Sequence, residues 1–258
     1  ENYQGELTEL RSSEGPLKIS EVVDRNPIYE GLFKGASEIG IPTNKDYNGD
    51  DQEGISYTQT TIFKGERMSA EVAYLKPIRS RKNLKIITNS LVTKLLFEGK
   101  TCVGVKVKNK NKIQDYFSQN EVILCGGAIN SPQILELSGI GNRSILEEKG
   151  ISVVHELKGV GENLRDHLGP RLIYNITKRG ISYNDKARGI NLIKQVLTYA
   201  FKRKGFLTLP SAPVLGFFKT RKELVTPDIQ VHFIPYKVVL NNGKRTLGKE
   251  PGITCTVN

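Results

Sequence analysis

The sequence predicts an α/β fold that passes into α+β in its second part, and three observations carry that reading. Val122-Ile123-Leu124 is continuously apolar and stands just before Gly126-Gly127, the pattern of a strand buried on both faces of a parallel sheet that then enters a tight turn. Residues 84–117 read as successive short strands joined by turn residues at Glu98-Gly99-Lys100 and Asn109-Lys110-Asn111, so an antiparallel meander is expected. Past Gly150 the rhythm loosens into longer loops carrying isolated strands and helices.

Taken in order, the first helix starts at Asn26-Pro27, an N-cap followed by a proline at N1. Ile28, Leu32, Ala36 and Ile39 supply its apolar stripe, and Gly40 then Pro42 end it. Ser69 caps a short helix through Leu75 that Pro77 stops. Strands are expected at residues 84–88, 90–98, 101–109 and 113–117. In the third, Val103, Val105 and Val107 occupy one side while Lys106 and Lys108 occupy the other. The buried strand at residues 122–124 leads through Gly126-Gly127-Ala128 into a helix capped by Ser131, with Pro132 at N1 and Gly139 as its C′ residue. Ile190, Ile193, Leu197 and Phe201 mark an amphipathic helix with Lys202, Arg203 and Lys204 in its last turn and Gly205 as its stop. Strands are expected at residues 229–234 and 254–257. A division at Asp166 is expected, with residues 1–165 as one domain and 166–258 as the start of a second.

The formal net charge of +11 on 258 residues raises nucleic acid as a partner. The sharpest basic stretch (Lys106, Lys108, Lys110, Lys112) has no interleaved aromatics on which bases could stack, so it reads as a solvated strand face. No run approaches the roughly 18 apolar residues of a membrane span. Cys102, Cys125 and Cys255 are odd in number and widely spaced, which makes neither a disulfide framework nor a zinc site, and no metal is expected. The polar, acidic first residues do not resemble a secretory leader.

The chemistry concentrates in residues 121–141. A strand, a small-residue turn and a helix N-terminus let a ligand approach the backbone and meet unpaired N–H groups, an arrangement suited to a nucleotide. A plain crossover with nothing bound has the same local sequence. Further motifs stand around it in order. Gly65-x-Arg67-x-Ser69-Ala70 leads to Tyr74-Leu75-x-Pro77, and Gly127-Ala128-Ile129-Asn130-Ser131-Pro132 is followed by Ser138-Gly139-Ile140-Gly141. Gly159-Val160-Gly161-Glu162-Asn163-Leu164-x-Asp166-His167 and Pro227-Asp228-Ile229-Gln230-x-His232-Phe233 come later. Together these resemble the glucose–methanol–choline oxidoreductases, in a style similar to the insect glucose dehydrogenase branch.

The resemblance implies a partial Rossmann-like FAD-binding domain with the meander attached, followed by part of an antiparallel-sheet substrate domain. It implies FAD as cofactor, with Val92, Gly126, Gly127 and Ala128 on its adenosine side. It further implies oxidation of an alcohol or sugar by proton removal to a His base and hydride transfer to the flavin. The family's opening G-x-G-x-x-G and its catalytic His pair have no counterpart in these residues, so an internal fragment without a catalytic residue is expected. His232 alternates with Ile229 and Val231 and is the candidate to face substrate; His155 and His167 read as structural. Choline-active relatives place a glutamate where Pro213 stands, so choline is disfavoured. An extracellular location is compatible with the family and with the acceptor sequences at Asn142 and Asn175. The rival reading is a non-catalytic paralogue that acts as a binding protein.

Overall fold

The computed structural model describes residues 1–22 and 25–258. It resolves into two compact units, one formed by Glu1–Arg81 with His167–Asn258 and the other by Lys82–Asp166. The chain passes between the units twice, at 81/82 and at 166/167, so that residues 1–81 group with the late residues. The physical reason is strand pairing: Gly54–Tyr57 runs antiparallel to Val214–Phe218 and ties the early residues to the late sheet.

That sheet has five strands in the order Arg171–Asn175, Gly252–Val257, Ile229–Ile234, Val214–Phe218, Gly54–Tyr57, all antiparallel. The expected strand at Ile229–Ile234 forms with those bounds, and the expected closing strand begins two residues earlier, at Gly252. One face packs on helix Pro27–Glu38, where Ile28, Tyr29 and Ala36 join Ile55 and Val214, flanked by Tyr57, Phe233 and Ile253. Each such large side chain contributes about 1.5–3 kcal/mol on burial. Asn26 caps that helix, as its sequence signal requires: Oδ1 accepts from the Ile28 N–H at 3.0 Å and Nδ2 donates to the Ile181 carbonyl at 2.8 Å. Ile39, expected on the apolar stripe, is the exposed C-cap instead.

A buried polar belt joins the later loops to this core. The Tyr29 and Tyr183 hydroxyls lie 2.6 Å apart. Fully buried Asn184 donates to the Lys237 and Gly248 carbonyls (3.0 and 2.8 Å) and accepts from the Lys237 N–H at 2.7 Å. Every hydrogen-bonding position of that amide is matched, which offsets the cost of burying it. Helix Gly189–Lys202 forms as expected, but none of its residues is buried. Its apolar stripe is solvent-facing, with Ile190 69% and Phe201 83% exposed.

The second unit contains the expected meander: Leu91–Glu98, Thr101–Asn109 and Lys112–Phe117, in that sheet order. Val107 is buried and Lys108 exposed, so the alternation read from sequence sets the faces. Lys106 pairs with Asp115 at 2.7 Å across the sheet, in keeping with a solvated charged face.

Three expectations fail here. Residues 84–88 form no strand, because nothing in the described residues pairs with them. Residues 122–124 form none either, and Ile123 is 74% exposed. A continuous apolar run specifies burial on both faces, and no neighbouring strand supplies it here. The following helix spans Gly127–Leu137, so Ser131 is not its cap and Pro132 lies inside it. Gly127 at φ +80° makes the entry five residues earlier than Ser-Pro signals, and a proline in the second turn forfeits only the bond to the Ala128 carbonyl. The segment from Ser69 also departs from a regular helix: Glu71–Leu75 is a π turn and Lys76–Ile78 a 3₁₀ turn around Pro77.

Candidate functional site

The four residues expected at the cofactor lie in one unit. Among the described residues Leu91–Glu98 is an edge strand whose outer side has no sheet partner, and Val92 on it is 38% exposed. Helix Gly127–Leu137 is docked to the same strand by one buried serine. Ser138, 1% exposed, accepts from the Leu95 N–H at 2.8 Å, and its hydroxyl donates to the Ile134 carbonyl. Gly139 at φ +90° then turns the chain out of the helix, as its sequence position requires.

At the other end of the helix, Gly126 and Gly127 have different jobs. A side chain at Gly126 would meet the Ser131 nitrogen at 3.1 Å, so Gly126 lets the chain lie close under its own helix. Gly127 has positive φ and no atom within 4 Å of where a Cβ would stand, leaving open space above the turn. No side chain caps this terminus. The first N–H groups and the positive end of the helix therefore face outward beside exposed Ala128. A cleft of about 660 Å³ runs between this helix (Ile129, Gln133, Glu136) and the loop carrying Gly161, Glu162 and Arg165. The loop was noted in the sequence only as a motif; its Gly161 is the signal, because a Cβ there would strike Glu136 Oε1 at 2.8 Å.

His232 lies in the other unit, on the sheet face opposite the helix-covered core. Pairing registers place it in one rung: Arg171 opposite Thr256, Thr256 opposite His232, His232 opposite Leu215, Leu215 opposite Ser56. Burial pushes the His232 imidazole below its ordinary value, and the nearby charge of His167 pushes it the same way. Both influences act against the protonated form of His232. Exposed His155 stands in the short pair between Ile140–Gly141 and His155–Glu156. Pro213 is fully buried at the start of Val214–Phe218, its carbonyl accepting from the Thr58 N–H at 2.9 Å. Among the described residues no group of His, Cys, Asp or Glu could hold a metal ion, and no helix is long and apolar enough to cross a membrane.

An open helix N-terminus at a glycine turn is a place where an anionic nucleotide can meet unpaired N–H groups. Comparison with known proteins gives the class. The profile of the GMC oxidoreductases matches residues 2–169. The chain is 38% identical over 239 residues to an alcohol dehydrogenase [acceptor] of Pseudomonas putida, covering 91% of this chain and 43% of that one. It is 38% identical over 229 residues to the mitochondrial choline dehydrogenase of Homo sapiens, covering 89% and 38%. A solved formate oxidase superposes with a TM-score of 0.87 at 23% identity, over 99% of this chain and 50% of that chain. This chain belongs to the GMC oxidoreductase family, whose cofactor is FAD. It spans less than half the length of the curated relatives named here. The residues present fit the cofactor: Gly127 leaves the approach open, and uncapped N–H groups are the donors an anionic nucleotide requires.

Proposed function

We propose that the protein takes part in the FAD-dependent oxidation of a CH–OH group, with an alcohol or sugar as substrate. The observation that carries this is the open turn at Gly127 beside the Val92 edge strand, in a chain of this family. In this reading the backbone of Val92 and of residues 126–128 holds the adenosine side of FAD, and bound FAD accepts the hydride removed from the alcohol carbon. The unit formed by Glu1–Arg81 with His167–Asn258 carries the rung containing His232, and His232 orients the alcohol by a hydrogen bond. Pro213 disfavours choline, since a buried proline offers no carboxylate to a quaternary ammonium.

The test is anaerobic titration of the flavin-loaded protein, isolated from its source, with a panel of primary and secondary alcohols and sugars. Bleaching of the flavin by a member of the panel is the expected result. A protein that carries flavin and is reduced by none of them, or that carries no flavin, would point to the binding-protein reading instead.

A further inference from the structure

Helix Gly189–Lys202 is turned inside out. Ile190, Ile193, Leu197 and Phe201 recur at helical spacing and are between 49% and 83% exposed. The side chains turned toward the protein are polar: Gln195, Thr198 and Tyr199 are the half-buried residues of the helix. Gln195 lies against the helix stop, where a side chain at Gly205 would meet its Oε1 at 2.8 Å, and the Tyr199 hydroxyl accepts from Arg203 at 2.9 Å. A helix on a globular surface ordinarily buries its apolar stripe and presents its polar one. Four large apolar side chains held in water along one line mark a face on which something apolar docks.

The charge around the stripe selects what docks. Lys186, Arg188, Lys194, Lys202, Arg203 and Lys204 are basic, and no Asp or Glu stands among them. Arg188 is engaged by the Leu247 and Gly248 carbonyls at 2.9 and 2.8 Å, and Arg203 by Glu66 at 3.3 Å. Exposed Lys194, Lys202 and Lys204 have no ion pair among the described residues. A second copy of this chain laid on the stripe would bring these cations against their own kind. A nucleic acid would meet the charges but gain nothing from an aliphatic stripe. An anionic bilayer surface satisfies both features. We propose that this helix lies in the surface of an anionic lipid bilayer. Ile190, Ile193, Leu197 and Phe201 enter the acyl boundary, and the three free lysines reach the headgroup phosphates. Its 14 residues rise about 21 Å, short of the roughly 30 Å of a hydrocarbon core, so the helix lies along the membrane rather than across it.

The test is co-sedimentation of the flavin-loaded protein with vesicles of phosphatidylcholine alone or with about 30% phosphatidylserine. Binding to the anionic vesicles is expected to be at least about tenfold tighter, and to weaken as salt is raised. Lys194→Gln should weaken it about fivefold, the share of one lysine near such a surface. Phe201→Ser should weaken it about tenfold or more, as loss of a buried aromatic requires. Phe201 packs on little in the protein, so flavin content and thermal midpoint should stay as in the wild type. The sequence contains no tryptophan, so Phe201→Trp adds a reporter at the stripe. The fluorescence it adds over the wild type should be quenched by lipid brominated in the acyl chain. Equal binding to both vesicles, or unchanged binding in Phe201→Ser, would overturn the proposal. So would added fluorescence already shielded from aqueous quencher without vesicles, the mark of a face covered by protein. A dimer that Phe201→Ser dissociates would overturn it too, in favour of a second copy.

Discussion

Replacing Ser138 with alanine isolates the contact that docks the helix of the cofactor turn to the strand bearing Val92. The Leu95 N–H that donates to Ser138 Oγ belongs to a residue only 5% exposed, so water does not readily replace the lost acceptor. The other bond of the hydroxyl, to the Ile134 carbonyl, matters less, because that carbonyl still accepts from the Ser138 N–H at 3.1 Å. The cost is therefore close to that of one buried, unsatisfied donor, about 2 kcal/mol. Converted to populations, ~2 kcal/mol is about a thirtyfold rise in openings that expose the Leu95 amide. Hydrogen exchange of that amide, read by NMR, measures the quantity directly. Exchange at Leu95 within about threefold of the wild type would show that the serine does not hold strand to helix, and the reasoning would fail.

Asn26→Ala removes both a helix cap and the donor to the Ile181 carbonyl, and urea unfolding of its unit should lose about 2–3 kcal/mol; a loss under ~0.5 kcal/mol would refute the double role. Gly127→Ala has room for its methyl but not the φ, so it should cost about 1 kcal/mol in stability, and flavin content after purification should fall. His232 has a folded pKa below its ordinary 6.5, so the unfolded chain takes up a proton first as pH drops. Stability from this residue is present above the ordinary imidazole range and is lost on acidification through the folded pKa. Urea midpoints from about pH 8 to about pH 5 should therefore fall less steeply in His232→Gln than in the wild type; parallel curves would contradict the assignment.

Local signals were legible where the chain satisfies them locally. The Asn26-Pro27 start, the period-2 alternation of Val105 and Val107 against Lys106 and Lys108, and the Gly139 stop each act through neighbours a few residues away. The continuous apolar run at residues 122–124 specifies burial but not its partner, and no pairing strand meets it among the described residues. Ser131-Pro132 reads as a helix start because a proline is best tolerated there, yet a positive φ at Gly127 begins the helix earlier and one missing bond is affordable. The pairing of Gly54–Tyr57 with Val214–Phe218 joins residues about 160 positions apart, a relation no window of sequence contains. The same distance hides the rung at His232, whose partners Arg171 and Thr256 come from separate strands. Asn242-Gly243, both at positive φ between Val238–Asn241 and Lys244–Leu247, is a hairpin signal that sequence analysis passed over.

The placement of the cofactor is tested most directly by hydrogen exchange of the protein with its flavin bound and removed, resolved to single amides. FAD held as proposed protects Val92 and the amides of residues 126–129 while leaving the far strand Lys112–Phe117 unchanged. Protection absent from residues 126–129, or centred on Lys112–Phe117, would contradict it.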